Sequence, residues 1–163
     1  MFSVGDKVIY CESGVCTVAE IAPLSMSGTP SERLYYHLVP LVGSGTYYSP
    51  IDSDAFMRSV ITKDEAEALI ESIPSVEPAI CMDSRFNHVD AFYKEIFKLH
   101  TPESMVSVIK GLRIRTEEKK TKSSRVEMTM KRAKEILYGE LSVALGIDFP
   151  LVESYIKEKV GMI

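Results

Sequence analysis

The chain has 163 residues, 45% of them hydrophobic, and a formal net charge of −4. That length suits one compact domain or two small ones, and the apolar fraction excludes a disordered chain. No apolar run approaches the roughly 18 to 20 residues of a membrane span, and an opening with Asp6 beside Lys7 lacks the basic-then-apolar layout of a secretion signal; the expectation is a cytoplasmic protein with no membrane partner.

Residues 1–61 read as strands. A short apolar stretch at 7–10 meets a turn at Glu12-Ser13-Gly14, where glycine is free to take positive φ. Residues 15–21 resume an extended pattern, with Val15, Thr17, Ala19 and Ile21 on one face and Cys16, Val18 and Glu20 on the other. A loop rich in Ser, Gly and Pro follows. Strands at 34–41 and 46–49 flank the turn at Gly43-Ser44-Gly45, and a last strand covers 57–61. Five short strands in about sixty residues predict a small, curved SH3- or Tudor-like β-barrel.

From Thr62 the period becomes helical. Thr62 and Glu65 form a capping box for a helix at 63–73, which stops before Pro74, and residues 62–82 make a connecting helix and linker. An all-α domain over 83–163 follows. It has a helix at 84–99 and a third opened by Thr101 and Pro102, with Met105, Ile109 and Leu112 inward. Ser124 and Glu127 suggest another capping box, for a long helix at 124–145 that ends at Gly146, and Asp148 caps a final helix. The whole is an α+β chain in two parts.

Chemistry-bearing patterns are few. Cys11, Cys16 and Cys81 make no knuckle of metal-ligand spacing and read as buried small hydrophobes, and His37, His88 and His100 are scattered. No metal, cofactor or catalytic residue is assigned, because no nucleophile elbow, phosphate loop or zinc-protease motif occurs. Charge is more informative. From Lys110 to Lys134 ten lysines and arginines face three acids, a net of +7, which leaves −11 for the rest of the chain. A solvated helix face is the plain reading of such a run. A local surface for nucleic-acid phosphates is the functional one. No aromatics interleave the charges, so backbone contact rather than base stacking is expected. The pairs Tyr35-Tyr36 and Tyr47-Tyr48 should each send one ring to the core and one to the surface, where exposed tyrosines make good protein contacts; cross-strand packing of the rings is the alternative.

In succession these elements resemble the CarD family (CarD and CdnL-type regulators), whose N-terminal module also occurs in transcription-repair coupling factors. The likeness runs through Phe2-Ser3-Val4-Gly5-Asp6-Lys7-Val8-Ile9-Tyr10, Ser49-Pro50 and Met57-Arg58-Ser59-Val60-Ile61. It continues at Val108-Ile109-Lys110-Gly111-Leu112 and at Ala133 to Leu141. The resemblance implies a barrel that binds the RNA polymerase β subunit and a helical domain that touches promoter DNA and modulates the open complex. Two departures stand out. Many members carry a DNA-wedging tryptophan where this chain has Asp83, followed by Ser84 and Arg85. They also often carry arginines on the polymerase-binding strands, where this chain has Leu24 and Tyr48.

The resulting expectation is a non-enzymatic transcription regulator. Met26, Tyr47, Tyr48 and Ser49 would face the polymerase, and Arg85, Arg113, Arg115, Lys119, Lys120, Lys122 and Arg125 would hold DNA phosphates. A protein-interaction module of the same fold, without DNA binding, is the alternative.

Overall fold

A computed structural model describes residues 1–25, 32–119, 123–161 and 163. The chain divides into two compact units, Met1–Val60 and Ile61–Ile163.

The first unit is a five-stranded antiparallel sheet of β1 (Lys7–Tyr10), β2 (Val15–Pro23), β3 (Leu34–Pro40), β4 (Tyr47–Pro50) and β5 (Met57–Ser59). The spatial order is β4-β3-β2-β1-β5. Its core is Val8, Cys16, Val18, Tyr36 and Leu38, with Ile21 packed against them. Among the described residues no ladder joins β4 to β5, so by its hydrogen bonds the expected barrel is a sheet with two edges. The sheet is nonetheless curled. Tyr10 on β1 and Tyr47 on β4, three places apart in the order, bring their ring centroids within 5.9 Å, whereas three strand spacings in a flat sheet would span roughly 14 Å.

The expected faces of β2 hold only for its first half. Val18 pairs with Leu38 and Glu20 with His37, so Ala19 is an extra residue, a β-bulge. One inserted residue reverses the alternation beyond it. Ile21 therefore joins Cys16 and Val18 on the core face, and Glu20 turns outward. Before β2 a 3-10 turn, Cys11–Ser13, returns the chain at Gly14, whose φ is +74°.

The second unit packs α1 (Lys63–Ser72), α2 (Phe86–Phe97), α3 (Pro102–Lys119), α4 (Ser124–Leu145) and α5 (Val152–Val160) around one core. The α1 capping box is present: Glu65 N donates to Thr62 Oγ1 at 3.2 Å, and Thr62 N donates to Glu65 Oε2 at 2.7 Å. For α4 the expected box is replaced. Ser123, not Ser124, is the N-cap, and it makes no side-chain capping bond among the described residues. Gly146 closes α4 in the left-handed conformation at φ +69°. Asp148 precedes a 3-10 turn, Phe149–Leu151, rather than α5 itself. Leu69, Ile70 and Ile73 share the core with Leu112, Leu137 and Ile156, so α1 is part of this unit and not a bridge to it.

The segment between α1 and α2 is a strap laid along α3. Lys110 Nζ donates to Ile73 O (2.9 Å), Pro74 O (3.3 Å) and Val76 O (2.5 Å). Ser107 Oγ donates to Glu77 O at 2.6 Å, Tyr93 OH to Ala79 O at 3.0 Å, and Arg115 Nη1 to Cys81 O and Asp83 O at 3.0 and 3.2 Å. An extended segment has no helical partners for its carbonyls, and here side chains supply them. The approach is tightest at Gly111, where a Cβ would lie 1.8 Å from Ala79 O; only glycine leaves room for the strap.

Candidate interaction surfaces

In the first unit β3 and β4 pair with His37 opposite Tyr48 and Tyr36 opposite Ser49. Strand alternation then puts Tyr36, Leu38, Tyr47 and Ser49 on the core face and Tyr35, His37 and Tyr48 on the outer face. Face and burial part company, which corrects the expectation of one buried ring per pair. Tyr35 and Tyr36 are both buried, at 8% and 5% exposed, while Tyr47 and Tyr48 are both open, at 41% and 47%. Tyr35 is covered although it faces outward: Arg33, paired with Asp52 at 3.0 Å, lies 5.9 Å over its ring. Tyr47 faces inward at the end of an edge strand, where the core stops, and rests against Tyr10.

Tyr48 stands edge-on to His37 with centroids 4.9 Å apart, and His37 Nδ1 lies 3.2 Å from Glu20 Oε2. Val39, near the end of β3, and Leu41, just after it, are also exposed. Ser49 is buried at 2% exposed, with its Oγ 3.4 Å from Ser53 Oγ, and offers the surface no side chain. Met26 lies outside the described residues. Leu24, where the resemblance suggested an arginine, is half-buried. Cys16 is fully buried, and burial, with Cys11 adding to it, pushes its thiol up to about 11.

In the second unit the seven basic candidates separate. Arg113 donates to Glu117 Oε1 (3.1 Å) and to Ile163 O (2.6 Å), and Arg115 is spent on the strap. Arg85 grips Asp83 with Nε and Nη2 at 3.1 and 2.8 Å. Lys119, at the end of α3, and Arg125, in the first turn of α4, are exposed. Lys120 and Lys122 lie outside the described residues. Sequence reasoning missed the structural employment of Lys110, Arg113 and Arg115, because nothing local signals which distant carbonyls a guanidinium or ammonium will reach.

Asp83 turns back on its own chain. Its Oδ1 accepts from Arg85 N at 2.8 Å and its Oδ2 lies 2.7 Å from His88 Nδ1. The hydrogen bonds from Arg85 hold this carboxyl well below the usual carboxylate range.

A groove of about 650 Å³ opens between α3, α4 and the turn before α5, floored by Val126, Met130, Tyr138 and Phe149. Its rim carries ion pairs: Arg113 with Glu117, Lys131 with Glu135 at 3.8 Å and Lys134 with Glu153 at 3.0 Å. Burial, with Glu153 adding to it, pushes the Tyr138 hydroxyl up. Among the described residues no group of three or more His, Cys, Asp or Glu could hold a metal ion, and no helix is long and apolar enough to cross a membrane.

A family model for the CarD-like/TRCF RID domain matches residues 2–61. Those residues coincide with the sheet unit; the stretches of α3 and α4 that carried the rest of the resemblance fall outside the match. No curated protein matches the chain. The matched family is in general non-enzymatic, and its partner is RNA polymerase, through the β subunit. Residues 2–61, the first unit, are therefore a CarD-like/TRCF RID domain, a module of transcription-related proteins that interact with RNA polymerase.

Proposed function

We propose that this protein is a transcription regulator that holds the RNA polymerase β subunit through the β4 edge of its first unit. In this reading its second unit touches promoter DNA along the phosphate backbone and so modulates the stability of the open complex. The observation that carries the reading is the exposed pair Tyr47-Tyr48 on an edge strand of the unit that matches the family. Large rings with few rotatable bonds give contact area at small entropic cost, and an edge strand has free backbone donors and acceptors for an incoming chain. Ser49 would take part through its backbone, and Met26 is assigned to the same edge on the sequence reading alone.

For DNA, Lys119, Lys120, Lys122 and Arg125 are the leading contacts. Arg85, Arg113 and Arg115 are secondary, because their guanidiniums are held by Asp83, by Glu117 with Ile163, and by the strap carbonyls, while Lys119 and Arg125 are exposed. Pull-down with the β-subunit lobe tests the first half. Tyr48→Ala should weaken capture by about 30-fold, the ~2 kcal/mol typical of a central interface ring; capture indifferent to that change would defeat it. For the second half, the logarithm of DNA affinity should fall with the logarithm of salt at about 0.9 per phosphate contacted, and a flat response would defeat it.

A second reading, an interaction module without DNA binding, has a specific observation in its favour: Lys110, Arg113 and Arg115, three of the basic residues that made the run conspicuous, are hydrogen-bonded within their own unit. Retained polymerase capture with no measurable DNA affinity would select it.

A further inference from the structure

We propose that Asp83 is an intrachain anion that masks Arg85 and His88 at the start of α2, and that a nucleic-acid phosphate displaces it when DNA binds. The proposal rests on the DNA-backbone reading above and adds a regulating contact to it.

The geometry is that of an arginine holding an oxyanion. Arg85 approaches the carboxylate with Nε on Oδ1 at 3.1 Å and Nη2 on Oδ2 at 2.8 Å, a two-pronged grip that suits phosphate equally well. Arg85 N and His88 Nδ1 close on the same two oxygens at 2.8 and 2.7 Å. With Asp83 in place, the guanidinium charge of Arg85 is offset by a carboxylate, which weakens the attraction of this end of α2 for DNA. The cluster is open to exchange. The side chains of Arg85 and His88 are 70% and 52% exposed, and exposed ion pairs contribute little to stability. Arg115 meanwhile holds the Asp83 carbonyl, so the backbone stays in place and exchange needs only a side-chain rotation of Asp83.

The test uses the full chain and a mixed-sequence DNA duplex across a range of KCl concentrations. Asp83→Asn keeps an acceptor for Arg85 N but removes the charge. It should bind about 3- to 10-fold tighter at low salt, with a log–log slope steeper by about 0.9, one extra phosphate. Glu103→Gln is the charge control, because Glu103 is exposed in the first turn of α3 and has no ion pair among the described residues; it should stay within about twofold of the parent. The double variant Asp83→Asn with Arg85→Ala should lose the gain. Masking is overturned if Asp83→Asn binds like the parent, if Glu103→Gln gains as much, or if the gain survives loss of Arg85. In each of those cases the parent still binds DNA and the DNA reading stands; if neither parent nor variant binds, the DNA reading itself has failed. Should Asp83→Asn not fold, nuclear magnetic resonance of the Arg85 Nε–H in the unaltered protein answers the same question. Its signal should move on saturation with duplex, and an unmoved signal overturns the proposal.

Discussion

Between Lys110 and Arg125 the chain places seven lysines and arginines, and their two ends have different employment. Lys110 and Arg115, in the body of α3, end on backbone carbonyls of the strap, and Arg113 beside them is held by Glu117 Oε1 and Ile163 O. Lys119 and Arg125, at the α3 end and the α4 start, stand exposed at the surface. The residue types are the same; the difference is what lies within reach. Along the middle of α3 runs an extended segment whose carbonyls need donors, and Lys110 and Arg115 supply them, whereas Lys119 and Arg125 lie beyond it with their side chains exposed. A basic run thus counts donors, and only the fold assigns their acceptors. The first group should govern stability and the second DNA affinity.

The largest effect that would break this division is at Gly111. Replacing glycine by alanine inside a helix ordinarily gains about 1 kcal/mol. Here the new methyl would meet Ala79 O at 1.8 Å, so the strap must leave α3 and Lys110 must lose its carbonyls. Gly111→Ala should destabilise the protein by about 3 kcal/mol or more in urea unfolding. A stabilised variant would mean that the strap does not lie where α3 holds it.

Next in size is a matched pair. Lys110→Ala removes an ammonium shared by three carbonyls and should cost about 2 to 3 kcal/mol, the range for hydrogen bonds to charged groups, while leaving the salt dependence of DNA binding unchanged. Lys119→Ala should move stability by less than about 0.5 kcal/mol and reduce the DNA salt slope by about 0.9. Equal behaviour of the two variants in both assays would erase the distinction.

What could be read from sequence follows the same line between local and distant causes. The α1 capping box, the end of α4 at Gly146 and the strand positions were legible because short-range chemistry decides them. The outward turn of Glu20 was not, since the bulge at Ala19 depends on what β3 presents opposite it. The tyrosine pairs show how alternation can be right and exposure wrong: Tyr35 faces out but is covered by Arg33, and Tyr47 faces in but lies where the core ends. An exposed strand with two rings was legible; the acceptors of the basic residues were not, as where the strap carbonyls claim Lys110 and Arg115.

The smallest effect sharpens the comparison through pH. Carbonyl acceptors do not titrate, so the contribution of Lys110 should be flat from acid to neutral pH. Lys134 instead holds Glu153, 3.0 Å away on α5, and this hydrogen bond, with the attraction of Lys134 and Lys157, draws the Glu153 carboxyl below its ordinary value. A carboxyl whose folded pKa is depressed contributes stability that is present above its unfolded value, about 4.3, and is lost as pH falls through the folded one. Glu153 is about half exposed, so solvent screening keeps that contribution under about 1 kcal/mol. The measurement is the stability difference between parent and Lys134→Ala, followed from pH 7 downward beside the same difference for Lys110→Ala. The Lys134 difference should shrink below about pH 4.3 while the Lys110 difference persists. If both shrink together, the ammonium on the strap depends on a titrating acceptor, and the contrast between carbonyl-bound and carboxylate-bound cations on this unit fails.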